Sequence, residues 1–216
     1  MNPRFFSLQR LLDQTVQGIS ERYPDQLPGW KELIALQWGW GNFGFMASMS
    51  YLRKVVAAAH AVNGPILECG SGATTLLMGM VTRSRGIEIF SLEHHPRWHQ
   101  KMTRTLQRYG MDHVQVLQAP LKDFGDYDWY DVDKSRIASG IQLVVCDGPP
   151  GNIKGSRYGL IPEMKVKLVD TCTILLDDAN RSNERRVMES WRSLHGFDYR
   201  LEGMIQKFAM VNRILD

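Results

Sequence analysis

Cysteine, long apolar runs and net charge are all scarce in this 216-residue chain. The three cysteines, Cys69, Cys146 and Cys172, have no metal-type spacing and sit in or beside apolar, strand-like runs. That pattern excludes a disulfide-built scaffold and points to reduced, buried thiols. Apolar stretches such as 55–59 fall far short of the roughly 20 residues needed to cross a bilayer, so no membrane span is expected. Met1-Asn2-Pro3-Arg4-Phe5-Phe6 lacks the continuous apolar core of a signal peptide, and a cytoplasmic location is the expectation. A formal charge of +3 is too mild to diagnose a polyanionic partner. Internal repeats and low-complexity linkers are absent too. This length suits one α/β domain with an N-terminal extension, and such a chain buries about 70% of its unfolded surface without staples.

The clearest feature present is Ile66-Leu67-Glu68-Cys69-Gly70-Ser71-Gly72-Ala73-Thr74-Thr75, with Glu93 following at the end of a second apolar run. It reads as a buried strand, a glycine turn, a helix start and a second strand closed by a carboxylate. Gly70 and Gly72 let the backbone turn tightly and come close to a ligand. Thr74 and Thr75 open a helix whose first N–H groups are free. A carboxylate at Glu93 can accept from the two hydroxyls of a ribose. A dinucleotide fingerprint needs a third glycine where Thr75 stands. Glu68 would also repel a pyrophosphate, whereas it would attract the ammonium of an amino-acid moiety. A nucleotide-dependent oxidoreductase is therefore disfavoured. A ligand with ribose, adenine and a cationic amino-acid tail is S-adenosylmethionine.

Through Glu68-Cys69-Gly70-Ser71-Gly72 and Glu93 the chain resembles the class I S-adenosylmethionine-dependent methyltransferases. Apolar periodicity predicts strands near 66–69, 87–93, 113–118, 141–146, 172–177, 198–203 and 206–212. Helices fit 4–22 (Phe5, Leu8, Leu12, Val16, Ile19), 46–61, 74–82, 96–108, 158–168 and 182–194. Alternation of this kind implies a mostly parallel sheet covered on both faces. The last two strands are joined by too few residues for a crossover helix, so that pair is antiparallel. The fold expected is a Rossmann-like, doubly wound, seven-stranded sheet with a C-terminal hairpin, over residues 46–216. Residues 1–45 form the helical extension, whose Trp- and Gly-rich segment 38–45 is either a hinged lid or plain aromatic packing.

In open α/β sheets the ligand sits at the carboxyl ends of the strands. The donor set expected there is Glu68, Gly70, Gly72, Thr74, Glu93, His94, Ala119 and Asp147. Ala119 joins it because the resembled family contacts adenine at the end of strand three. His94 and His95 follow the ribose acid; either ring could pack near adenine or face solvent. Successive strand side chains point to opposite faces, so they do not make a metal pair.

Asp147 and Asp178 end neighbouring strands and form the expected catalytic pair. Converging carboxylates repel unless a cation or proton lies between them. A Mg²⁺ ion held by both would satisfy them and activate a coordinated hydroxyl. Catechol O-methyltransferase and its relatives resemble this arrangement, with Asn directly after the second acid, where this chain has Ala179 and then Asn180. A structural alternative has Asp177 or Asp178 capping the helix near Ser182 and Asp147 tying down its turn. Without a metal, Asp147 or a histidine would be the general base. Methyltransferases acting on nucleobase or amide nitrogens carry Asp/Asn-Pro-Pro-aromatic here; Asp147-Gly148-Pro149-Pro150-Gly151 has an inserted glycine and no ring.

The longer set Ala119-Pro120-Leu121, Trp129-Tyr130-Asp131, Asp147-Gly148-Pro149-Pro150-Gly151, Arg157-Tyr158 and Leu176-Asp177-Asp178-Ala179, with Arg181 and Glu184-Arg185, resembles a group of poorly characterised bacterial class I methyltransferases. The resemblance bears on fold and donor more than on acceptor, since one fold hosts many acceptors; the acceptor expected is an oxygen of a small molecule, reached from the ends of strands four and five. A non-catalytic S-adenosylmethionine-binding protein and an RNA methyltransferase are the alternatives. Arg97, Lys101, Arg104 and Arg108 recur at helical spacing. They read either as a phosphate-contacting stripe or, with no second basic element to support it, as a solvated helix face. Nucleic acid is therefore an unlikely partner, and a homo-oligomer stays open. Arg157 would suit an acidic or sugar-like acceptor, with solvent exposure as its default. Trp191, with Val187, Met188 and Leu194, has core spacing.

Overall fold

The computed structural model describes residues 3–215, apart from the side chains of residues 3–6 and 45. Met1 and Asn2 of the leader reading, and the Phe5 and Phe45 side chains of the two N-terminal patterns, lie outside what is described. Three helices come first: α1 (Pro3–Arg22), α2 (Trp30–Trp40) and α3 (Met49–Ala61). Then β1 (Ile66–Cys69), α4 (Ala73–Thr82), β2 (Ile89–Glu93), α5 (Pro96–Tyr109) and β3 (Val114–Gln118) alternate. A small hairpin, β4 (Leu121–Asp123) and β5 (Asp128–Tyr130), precedes β6 (Ile141–Cys146), α6 (Leu160–Met164) and β7 (Leu168–Leu176). The chain closes with α7 (Ser182–His195), β8 (Phe197–Glu202) and β9 (Phe208–Arg213).

The main sheet has seven strands in the order β3-β2-β1-β6-β7-β9-β8. Pairs from β3 through β7 are parallel, and β9 runs antiparallel to both β7 and β8. The order reverses between β1 and β6, so the crevice outside their carboxyl ends is the natural ligand position. Strand alternation divides the core in two. Ile66, Leu143 and Val145 face one apolar cluster with α1–α5, while Leu67, Val144 and Cys146 face the other with α6, α7 and the small hairpin. Trp191, Val187 and Met188 are buried in the second cluster, as their spacing predicts, but Leu194, expected with them, is exposed near the end of α7.

Four elements, α2, α6, β4 and β5, differ from the sequence expectation, and β7 starts earlier than expected. α2 was not anticipated, because Trp30, Leu33, Ile34, Leu36, Trp38 and Trp40 are apolar around the whole helix and give no clear period. The helix expected over 158–168 shrinks to five residues, since β7 begins at Leu168 rather than 172. The three-residue strands β4 and β5 are too short to register as alternation. α2 packs tightly on α1: a Cβ at Gly39 would lie 2.8 Å from the Leu12 amide nitrogen.

Candidate functional site

A cavity of about 620 Å³ opens at the carboxyl ends of the central strands, within the size range of small-ligand pockets. Its first wall is the turn between β1 and α4. Gly70 adopts φ +89°, a left-handed conformation that favours glycine. Gly72 caps α4 through its N–H, which donates to Thr75 Oγ1 at 2.9 Å. Glu93 ends β2 and is 3% exposed. Its Oε2 accepts from the Ser71 amide at 3.1 Å and the Ser71 hydroxyl at 2.7 Å, and its Oε1 accepts from the His95 amide at 2.8 Å. A carboxylate has about four acceptor positions. Three are taken, so a ligand diol would use the last or displace the Ser71 hydroxyl. His94 lines the same wall, its Nδ1 3.4 Å from Glu93 Oε1. Burial lowers the His94 pKa against the opposing pull of Glu93, which favours the neutral ring.

Two residues of the expected donor set stand elsewhere. Glu68 is wholly buried and does not line the cavity. Its Oε1 accepts from Thr74 Oγ1 at 2.6 Å, and its Oε2 from Thr75 Oγ1 at 2.6 Å and Ser91 Oγ at 2.5 Å. The acid therefore ties the first turn of α4 to β2, and three hydroxyls occupy its two oxygens. Thr74 does line the cavity, with its hydroxyl spent on Glu68. Ala119 is also buried away from the cavity; its N–H donates to the Glu93 carbonyl at 2.9 Å. In this position it supports the end of β2.

Burial raises the Glu68 carboxyl from 4.5 to about 7, against the three hydroxyls that favour its charged form. The folded state then holds a proton that the unfolded chain releases, so this group stabilises most below pH 4.5 and progressively less up to pH 7. A shift of this size corresponds to roughly 3 kcal/mol. Glu68→Gln is expected to flatten the fall in melting temperature between pH 5 and 8. An unchanged pH profile would remove Glu68 as its source.

The opposite wall carries acids. Oxygens of Asp147, Asp177 and Asp178 lie within 4.8 Å of one another. They come from the ends of β6 and β7, whose last residues are Cys146 and Leu176 in register. Between them sits Arg157, 2% exposed and not solvent-facing as its sequence position implied. It donates to the Asp177 carbonyl at 2.7 Å, the Asp147 carbonyl at 3.0 Å and Asp178 Oδ2 at 3.2 Å. Arg181 reaches the same Asp178 oxygen at 2.8 Å. Three carboxylates thus face two guanidinium groups. Burial raises the Asp147 carboxyl well above 3.8; Arg157 opposes this and the neighbouring Asp177 and Asp178 reinforce it. Asp177 is raised too, again chiefly by burial.

No side chain caps α7, whose N-cap is Arg181, so neither Asp177 nor Asp178 serves as its cap. Asp178 instead takes φ +58°. Asn180 is exposed and away from the cavity, and Ala179 is buried. The donor set nevertheless suits a hard divalent cation: three converging carboxylates, with the buried Asp177 Oδ1 lacking a hydrogen-bond partner. Arg157 is the competing cation.

Three further cavity-lining side chains, Trp40, His94 and Tyr130, contain a buried polar atom without a partner, namely Nε1, Nδ1 and the phenol oxygen. Leaving such groups unpaired costs about 1–3 kcal/mol each, and their grouping around one cavity is the signature of a ligand site. Among the cavity residues, Trp98 has no site signal in the sequence; Trp40 enters only through the lid alternative for 38–45, Tyr130 only through the motif set, and Arg157 only as an acceptor contact set against solvent exposure. Gly70 and Gly148 join the two walls. A Cβ at Gly148 would meet Gly70 Cα at 2.9 Å, and one at Gly70 would meet Gly148 Cα at 3.1 Å.

The basic residues of α5 do not act as one stripe. Lys101 turns inward to Trp40, Arg108 pairs with Asp13 at 2.7 Å, and Arg97 and Arg104 border a separate groove beside Gln118. Among the described residues no helix is long and apolar enough to cross a membrane.

No protein-family model matches the sequence, and no curated protein matches it. Solved structures do. The Podospora anserina methyltransferase PaMTH1 bound to SAH aligns with TM-score 0.64 at 15% identity, over 95% of this chain and 88% of that one. Cofactor-bound Rv0187 from MTB gives 0.61 at 15% identity, covering 98% and 90%. Precorrin-6y C5,15-methyltransferase from Geobacter metallireducens GS-15 gives 0.54 at 11% identity, covering 77% and 89%. The shared feature is the fold: this chain has the Rossmann-like architecture of class I S-adenosylmethionine-dependent methyltransferases.

Proposed function

We propose that this protein transfers a methyl group from S-adenosylmethionine to an oxygen of a small-molecule acceptor. The observation that carries the reading is a single cavity with Gly70–Gly72 and Glu93 on one wall and Asp147, Asp177 and Asp178 on the other. The donor's ribose would lie against Glu93, and its sulfonium would point across the Gly70–Gly148 contact towards the acids. Asp147 would take the hydroxyl proton as the acceptor oxygen attacks the methyl carbon. The carbon–sulfur bond breaks, and S-adenosylhomocysteine leaves as a neutral thioether. Alkoxide and sulfonium charges cancel along this path, which a water-poor cavity favours. Orientation of donor and acceptor contributes about 7–11 kcal/mol in such reactions, more than the base does.

Asp147, Asp177 and Asp178 are the residues that would hold Mg²⁺. A bound ion would act as a Lewis acid on the acceptor hydroxyl. Arg157, already between the same carboxylates, and Ala179 after Asp178 favour a second reading: a protein that binds the donor without using it. Calorimetric titration with S-adenosylmethionine, S-adenosylhomocysteine and NAD, each with and without Mg²⁺, tests the proposal. Micromolar binding of both sulfur ligands with NAD silent is the expected result; silence from both would overturn it. Slow Mg²⁺-stimulated turnover of the donor would separate enzyme from non-catalytic binder.

A further inference from the structure

The N-terminal helices end on the cavity itself. Gln37 and Trp40 of α2, followed by Asn42, Gly44, Met46 and Ala47, line it together with the β1–α4 turn. Gln37 Nε2 donates to the Ala47 carbonyl at 2.7 Å and closes this segment into a compact loop. Trp40 is 3% exposed. Its ring centroid lies 6.0 Å from that of Trp98, which stands in the first turn of α5, just beyond Glu93 and His95.

Lys101 fastens this pair. Its Nζ donates to the Trp40 carbonyl at 2.6 Å and lies 3.8 Å from the Trp40 ring centroid and 4.8 Å from that of Trp98. The carbonyl belongs to the last residue of α2, where the helix dipole favours a cation. Cation–π attraction at a half-buried position strengthens this hold. All these contacts hold a ring whose indole N–H has no hydrogen-bond partner among the described residues. Packing of the extension onto the sheet explains a buried Trp40, but not why the indole N–H of a residue that lines a ligand cavity is buried unpaired.

We propose that Trp40 is a binding residue for the nucleoside end of the donor, its indole N–H donating to the bound molecule, and that Lys101 positions it there. The inference rests on the donor reading above. It makes the extension part of the binding site, supplied from outside the glycine motif.

The test is titration of the full chain and its variants with S-adenosylhomocysteine, alongside thermal melting of the unliganded proteins. Trp40→Phe keeps an aromatic face and removes the N–H; affinity is expected to fall about tenfold, the worth of one hydrogen bond, while the unliganded melting temperature reads the separate cost of the smaller buried ring. Lys101→Met should weaken binding by a similar factor. Lys101→Arg, which retains the charge and the ring contacts, should restore it to within about threefold of the parent. Parent-like affinity in both Trp40→Phe and Lys101→Met would overturn the proposal while leaving the donor reading standing. Absence of binding by the parent chain would remove both.

Discussion

Glu93→Ala is expected to weaken S-adenosylhomocysteine binding at least about 100-fold. Two effects combine. The carboxylate would lose its hydrogen bonds to the ribose hydroxyls, and bonds to a charged group are worth about 1.5–3 kcal/mol each. It would also release Ser71 and His95, whose amides it now holds at 3.1 and 2.8 Å, so the turn that faces the donor would lose its shape. Glu93→Gln separates the effects, because the amide keeps one acceptor oxygen for the loop. An intermediate loss is expected there. Calorimetry on the three proteins measures it, with melting curves to show that each is folded. Unchanged affinity in Glu93→Ala would sink the ribose assignment.

Asp147→Asn should lower turnover by about 10²–10⁴-fold, the usual contribution of a positioned base, while S-adenosylhomocysteine affinity changes less than about threefold. The pH profile carries a separate signature. A base works only when ionised, and burial holds the Asp147 carboxyl above its ordinary 3.8, with Arg157 opposing and Asp177 and Asp178 adding to the rise. Activity should therefore climb with pH through that raised value rather than level off in the acid range. The Asn variant should lack this limb. Single-turnover rates across pH, with donor binding measured in parallel, decide the matter. Equal loss of turnover and donor affinity would make Asp147 structural, a role its 3.0 Å carbonyl contact with Arg157 already allows.

Where the sequence was informative, the physics was local. Gly70, Gly72 and Glu93 announce themselves because a strand, a turn and a strand end lie close together in the chain. The β8–β9 hairpin followed from the shortness of its connection. Glu68 misleads for the opposite reason. Its neighbours in sequence are the glycines, but its partners are Thr74 and Thr75 on the next helix and Ser91 on another strand. Nothing in the spacing reveals that three hydroxyls turn it inward. Ala119 is similar, its place decided by the pairing of β3 with β2. Arg157 looked like a surface residue of a polar loop because its acceptors lie 8, 10, 20 and 21 residues upstream or downstream. α2 escaped notice because period detection needs a polar face, and this helix spends one apolar face on the core and leaves Trp30, Ile34 and Trp38 exposed.

The contact between Gly70 and Gly148 bears on how such a site could be redesigned. The turn after β1 and the turn after β6 touch backbone to backbone, with the Tyr130 hydroxyl 2.5 Å from where a Cβ at Gly148 would stand. Neither loop can be grafted from another scaffold as an independent cassette. A library that diversifies residues 149–152 to seek new acceptors must leave position 148 unvaried, or each gain in acceptor choice will arrive with a displaced methyl donor.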